Sequence, residues 1–180
     1  DGKTMIFYVD DMEKAAVPVT GSISDATSTL TVGAQNDGTY AFSGFIDELK
    51  FRNTVQEYDP YEANLLSKWK FNEQTGSTLA KNEIIGAGDF VIPQEILSDF
   101  AQVDGQKGLL LPENASAYPV LEGFSGNVGS NFTLSCFYKG DQSVADKGTA
   151  VLFGKGPKTT GHYELWLYEG RLAFFAPEIH

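Results

Sequence analysis

The sequence predicts an all-β chain folded as a two-sheet antiparallel β-sandwich of the jelly-roll kind. Short runs rich in β-branched and aromatic residues recur along the 180 residues, and nineteen Gly and seven Pro punctuate them. Little helical pattern separates the runs, which argues against a parallel sheet with crossover helices.

The first run, Thr4-Met5-Ile6-Phe7-Tyr8-Val9, enters an acidic turn at Asp10-Asp11. Strands are expected next at Ser28-Thr29-Leu30-Thr31-Val32, at Tyr40-Ala41-Phe42 and from Gly44 to Phe51, with Asn36-Asp37-Gly38 as a turn. From Thr54 to Ser67 the pattern fades into a connector, where Asp59-Pro60 has the form of a helix start. Strands resume at Lys68 to Glu73, followed by the turn-rich Gln74-Thr75-Gly76-Ser77. Later strands are expected at Gly108 to Leu111, Phe132 to Lys139, Ala150 to Phe153, Tyr163 to Tyr168 and Arg171 to Phe175.

Composition narrows the function. A formal net charge of −11 without a Lys/Arg cluster repels phosphate backbones, so no nucleic-acid partner is expected. No apolar run reaches the roughly 20 residues a membrane-spanning helix needs, so no membrane insertion is expected, and Asp1-Gly2-Lys3-Thr4 is not a signal peptide. One cysteine, Cys136, excludes an intrachain disulfide; its alternation with Phe132 and Leu134 makes it a buried structural thiol.

Several segments resemble laminin-G-like jelly-roll domains of the concanavalin A-like class. They are Asp1-Gly2-Lys3 leading to Tyr8-Val9-Asp10, then Leu30-Thr31-Val32-Gly33, then Phe42-Ser43-Gly44-Phe45-Ile46-Asp47-Glu48-Leu49, which is the most specific. In that family this last motif lies near the C-terminus of a domain. Trp69-Lys70-Phe71-Asn72-Glu73-Gln74-Thr75-Gly76 is similar to the family's opening strand and turn, with Asn72 where Asp is usual. The order is therefore inverted: residues 1–53 resemble the C-terminal half, 54–67 connect, and 68–180 resemble the N-terminal part.

A single permuted-looking sandwich over residues 1–180 accounts for this order, as do parts of two tandem repeats. The single sandwich is preferred because two half-domains would each expose apolar strand faces. The family's first and last strands pair, which implies pairing of residues 68–73 with 45–51. The Trp-His-Val-Ala-like strand that the family places between the two halves has no counterpart. Its absence implies an exposed edge open to a neighbouring repeat or to a complementary strand from another chain.

No run of closely spaced carboxylates of the glucanase kind is present. Asp47 and Glu48 are adjacent, so in a strand they point to opposite faces and do not flank one glycosidic bond. His162 and His180 lie in no metal or nucleophile motif, and His162 reads as a surface loop residue. An enzyme is not expected, and a glycoside hydrolase or lyase is the least favoured class.

Alternation places Asp47 with Phe45, Leu49 and Phe51, and Glu73 with Trp69 and Phe71, so both carboxylates are expected to face inward near strand ends. Protonation, a cation such as a structural calcium ion, or several backbone N–H donors would offset their desolvation. For a glycan, ring faces that stack on sugar C–H surfaces are the useful groups. In the Tyr163 strand, Tyr163, Leu165 and Leu167 make the better core, leaving Glu164, Trp166 and Tyr168 as a solvent-facing strip. Tyr8, Tyr40 and Tyr138 are weaker candidates, and Trp69 is a core residue.

The resemblance implies an extracellular or cell-surface module that binds a glycan or protein, non-catalytic and suited to a polysaccharide-processing system. A structural spacer or protein-interaction module is the alternative.

Overall fold

The computed structural model describes residues 3–24, 26–52, 65–84, 86–96, 100–103, 106–112, 116–125, 131–140, 148–158 and 160–179, with backbone alone at 100–103 and 106. The expected helix start at Asp59-Pro60 lies outside the described residues, as does His180.

The fold is all-β. A seven-stranded antiparallel sheet has the order β14-β13-β12-β3-β10-β7-β6, made from Arg171–Phe175, Tyr163–Tyr168, Thr149–Lys155, Ser28–Val32, Val120–Phe124, Phe90–Val91 and Leu79–Ala80. A five-stranded antiparallel sheet has the order β11-β4-β9-β8, from Thr133–Gly140, Gly44–Arg52, Gln106–Leu111 and Phe100–Val103, with β5 (Leu65–Trp69) also paired to β4. Strands from residues 1–53 interleave with later ones in both sheets: β3 lies between β12 and β10, and β4 between β11 and β9.

The third sheet is a hairpin of β1 (Thr4–Val9) and β2 (Met12–Pro18). Its two turn residues, Asp10 and Asp11, have φ of 51° and 58°, the left-handed pair of a type I′ turn, which Asp tolerates better than most side chains. β2 has no counterpart in the sequence reading because Glu13 and Lys14 break its alternation and Pro18 closes it.

The core lies between the two large sheets and is dominated by aromatic rings. Phe51 on β4 lies 5.2 Å from Phe153 on β12 and 5.5 Å from Phe124 on β10, centroid to centroid. Trp69 on β5 lies 4.8 Å from Phe90 on β7. Trp69 is fully buried, as expected.

Two strand boundaries differ from expectation. Residues 40–42 form no strand: the chain from Gly33 loops out, tied by Phe42 N–H donating to Gly33 O at 2.7 Å, with Tyr40 at φ 54°. The strand expected from Lys68 to Glu73 instead spans Leu65 to Trp69, because Phe71 adopts φ 48° and leaves the extended region. β5 pairs β4 in the register Leu49↔Trp69, Lys50↔Lys68 and Phe51↔Ser67.

A β-bulge in β4 changes which residues face the core. Ser135 pairs with Lys50 and Phe137 with Asp47, so Glu48 and Leu49 share the space opposite Cys136 alone, with Glu48 at φ 50°. The bulge resets alternation: Ile46, Leu49 and Phe51 enter the core, while Phe45 lies outside that cluster. Asp47 therefore faces away from Leu49 and Phe51, opposite Phe137, which is 57% exposed. The expected set of Phe45, Asp47, Leu49 and Phe51 is split by this one extra residue.

Cys136 is partly buried against the core, and desolvation there pushes its thiol up to about 12. The native protein is accordingly expected to resist iodoacetamide near about pH 8, where a free cysteine reacts through its thiolate, and to label only once unfolded. Mass spectrometry with and without urea checks this; rapid native labelling would contradict a buried thiol.

Candidate functional site: an aromatic platform on the seven-stranded sheet

The β13–β14 hairpin builds the candidate site. Glu169 and Gly170, at φ 48° and 72°, form a two-residue turn that sets the register Tyr168↔Arg171, Trp166↔Ala173 and Glu164↔Phe175. Residues directly opposite share a face, so all six lie on the sheet face away from the core. The alternate residues Tyr163, Leu165 and Leu167 are buried in the core, as the sequence predicts.

The predicted strip exists, but its three members differ in depth. Tyr168 is exposed, Trp166 half-buried and Glu164 only 1% exposed. Glu164 is thus not a solvent-facing sugar ligand, contrary to expectation. Gln35 Nε2 donates to its Oε2 at 3.0 Å, and Gly154, opposite on β12, supplies no side chain to push it outward. A Cβ at Gly154 would meet Glu164 Cγ at 3.2 Å, so the glycine leaves the carboxylate room to lie flat.

His162 is likewise buried rather than at the surface, with 1% exposure. Its Nδ1 lies 2.8 Å from Lys155 O and 2.9 Å from Gly156 O, so Nδ1 carries the proton, since both neighbours only accept. Nε2 is buried without a hydrogen-bond partner and lies 3.5 Å from Glu164 Oε1. These two side chains support the platform from beneath.

Phe175 joins the cluster together. Its ring is 6.0 Å from Trp166 and 5.7 Å from His162, and the Lys158 ammonium lies 5.7 Å from its centroid. Lys158 is also 5.7 Å from the ring of Tyr40, which is 49% exposed and held at φ 54° by its loop. Trp166 lies 6.4 Å from Tyr168. The surface therefore runs as a row of rings, Tyr40, Phe175, Trp166 and Tyr168, with Lys158 set among them.

Trp166 turns its indole N–H inward, where Nε1 is buried without a partner, so the ring itself is what it offers to a ligand. Two shallow clefts among the described residues lie elsewhere, one lined by Glu95, Ser116 and Ala117, the other by Leu66, Leu121 and Phe124. The platform is open rather than pocketed.

The chain matches no family model, no curated protein and no solved structure.

The two carboxylates for which a calcium ion, protonation or backbone N–H donors were the alternatives each accept one backbone N–H. Asp47 Oδ1 accepts the Glu48 N–H at 2.7 Å, and Glu73 Oε1 accepts the Lys81 N–H at 2.7 Å. They have no partner in common. Among the described residues, no group of three or more His, Cys, Asp or Glu is placed to hold a metal ion. Burial raises the Asp47 carboxyl to about 6, helped by the charge of Glu48 and opposed by the Glu48 N–H and by Lys50.

Lys158 and Phe175 complete the site beyond the sequence reading, and Tyr40, a weaker candidate there, joins them. Phe175 was within reach of the sequence, because a two-residue turn at Glu169-Gly170 places it opposite Glu164. Tyr40 and Lys158 come from loops after β3 and β12, and no local pattern signals their approach.

Proposed function

We propose that the chain is a non-catalytic, extracellular carbohydrate-binding or adhesion module that holds glycan on the outer face of β13 and β14. The observation that carries this reading is the open row of rings. Its exposed aromatic surface suits the C–H faces of successive sugars along a polymer, which a closed pocket would not admit. The resemblance to laminin-G-like domains supports the same class, and so does a face whose buried carboxylate and histidine serve to position the rings.

The test is a glycan-array screen of the purified chain, with calcium and with chelator, followed by calorimetry on each hit. Trp166→Ala is expected to weaken binding at least about tenfold, as for a central aromatic anchor. Tyr168→Ala is expected to weaken binding while leaving stability within about 0.5 kcal/mol, since it is half-exposed at the strand end. Saturable binding that both variants leave intact would remove the platform from consideration. Loss of binding in chelator would place a calcium ion in the recognition event. Turnover of any polysaccharide would move the chain to the hydrolase or lyase class.

The β1–β2 hairpin favours a second reading, that of an assembly or spacer module. Ile6, Tyr8, Met12 and Val17 are each 42–56% exposed on it. Among the described residues neither strand pairs beyond the hairpin, so its backbone edges are open to a neighbouring repeat or another chain. Concentration-dependent self-association without glycan binding, measured by sedimentation, would favour that role.

A further inference from the structure

The polar groups that remain exposed around the rings differ in sign from what a neutral-sugar site would present. The strip's own carboxylate, Glu164, is buried and engaged by Gln35, so it is not available to accept sugar hydroxyls. The platform instead carries two cations beside its rings. Lys158 sits between the Tyr40 and Phe175 rings, and Arg171 lies opposite Tyr168 at the other end. Neither makes an ion pair with a carboxylate among the described residues, whereas Lys50, Lys68, Lys70 and Lys81 all do.

Two carboxylates share the rim. Asp37 is held below the usual carboxylate range chiefly by the Thr39 hydroxyl and N–H, with the charge of Lys158 a smaller contribution. Its Oδ1 accepts the Thr39 hydroxyl at 2.6 Å and N–H at 3.0 Å, so the acid is satisfied locally. Glu169 lies in the hairpin turn beside Arg171.

A cation placed over aromatic faces is oriented by the ring quadrupoles and keeps its outer N–H bonds for a ligand. A sugar stacked on Trp166 or Tyr168 would have Lys158, over the neighbouring Phe175 ring, at one end and Arg171, opposite Tyr168, at the other, as the cations nearest to an exocyclic C5 substituent. A carboxylate there would form charge-assisted hydrogen bonds, and the Arg171 guanidinium would hold it through two parallel N–H bonds. A hydroxymethyl group in the same place would leave both cations without a charge partner.

We propose that this platform selects glycans bearing hexuronate residues over neutral glycans, with Lys158 and Arg171 as the groups that read the carboxylate. The proposal rests on the carbohydrate reading above and narrows its ligand class. Because the chain carries 24 acidic and 13 basic side chains, nonspecific attraction to a polyanion is disfavoured overall, and binding would report a local site.

Polygalacturonate, alginate and hyaluronan are each compared with their carboxyl-reduced, neutral forms by calorimetry on the full chain. One uronate polymer is expected to bind about tenfold or more tightly than its reduced form, the effect of one charge-assisted contact. Lys158→Gln with Arg171→Gln is expected to erase that difference without changing the thermal midpoint, and added salt to shrink it. Equal binding of acidic and reduced forms, or binding of neutral polymers only, overturns the uronate proposal and leaves the carbohydrate reading standing. Uronate binding that the double variant leaves unchanged overturns the assignment to these cations. No binding of any polymer, acidic or neutral, by a folded sample overturns both readings together.

Discussion

Phe51→Ala is expected to destabilise the chain by about 3–5 kcal/mol, the range for removing a large buried ring from a packed core. Phe51 is fully buried and is where the two sheets meet. Its ring contacts Trp69 at 5.8 Å from the neighbouring strand, and Phe124, Phe153 and Tyr163 at 5.5, 5.2 and 6.2 Å from the facing sheet. The lost ring removes apolar area and also several edge-to-face contacts, each worth about 0.5–1.5 kcal/mol beyond area. Phe137→Ala on the adjacent strand is the control, expected within about 0.5 kcal/mol of wild type because its ring is 57% exposed. Urea unfolding followed by tryptophan fluorescence measures both. A cost for Phe51→Ala no larger than for Phe137→Ala would mean that the sheets do not close on this residue.

Strands whose pattern is self-contained were legible in the sequence. The spans Tyr163–Tyr168 and Arg171–Phe175 follow from alternation and from the Glu-Gly turn between them, and the core assignment of Tyr163, Leu165 and Leu167 follows with them. The bulge at Glu48 was not legible, because it exists only in the register of β4 against β11. One extra residue there moved Asp47 to the opposite face from the one that strict alternation gives.

The platform was half legible for the same physical reason. Alternation gives a face but not a depth: Glu164, Trp166 and Tyr168 share a face, yet Tyr168 is half-exposed, Trp166 is partly covered and Glu164 is buried. What buries Glu164 is Gln35, distant by 129 residues in the chain, together with the absence of a side chain at Gly154. Long-range closure of this kind also hid His162, whose loop position suggested a surface residue until Lys155 O and Gly156 O turned its ring inward. The clustering of Lys158 with Tyr40 depends on two loops meeting over Phe175.

Asp47→Asn is expected to stabilise the chain above about pH 7, by roughly 1–3 kcal/mol, and to have little effect near about pH 4. Burial raises the folded-state carboxyl from 3.8 to about 6, so between these values the folded chain holds a proton that the unfolded chain has lost. Stability therefore falls as pH rises through that window, and above it the folded state carries an ionised, desolvated carboxylate. Asparagine removes the charge and keeps the oxygen that accepts the Glu48 N–H at 2.7 Å, so the bulge retains its bond. Thermal midpoints of both proteins across about pH 4 to 8 check the sign: the wild-type curve should decline where the variant stays flat. Repeating the series with calcium separates the two accounts of this carboxylate. A cation bound at Asp47 would lower its pKa, flatten the wild-type curve and make the variant the less stable protein in calcium; an unchanged slope would leave Asp47 a desolvated acid held by one backbone N–H.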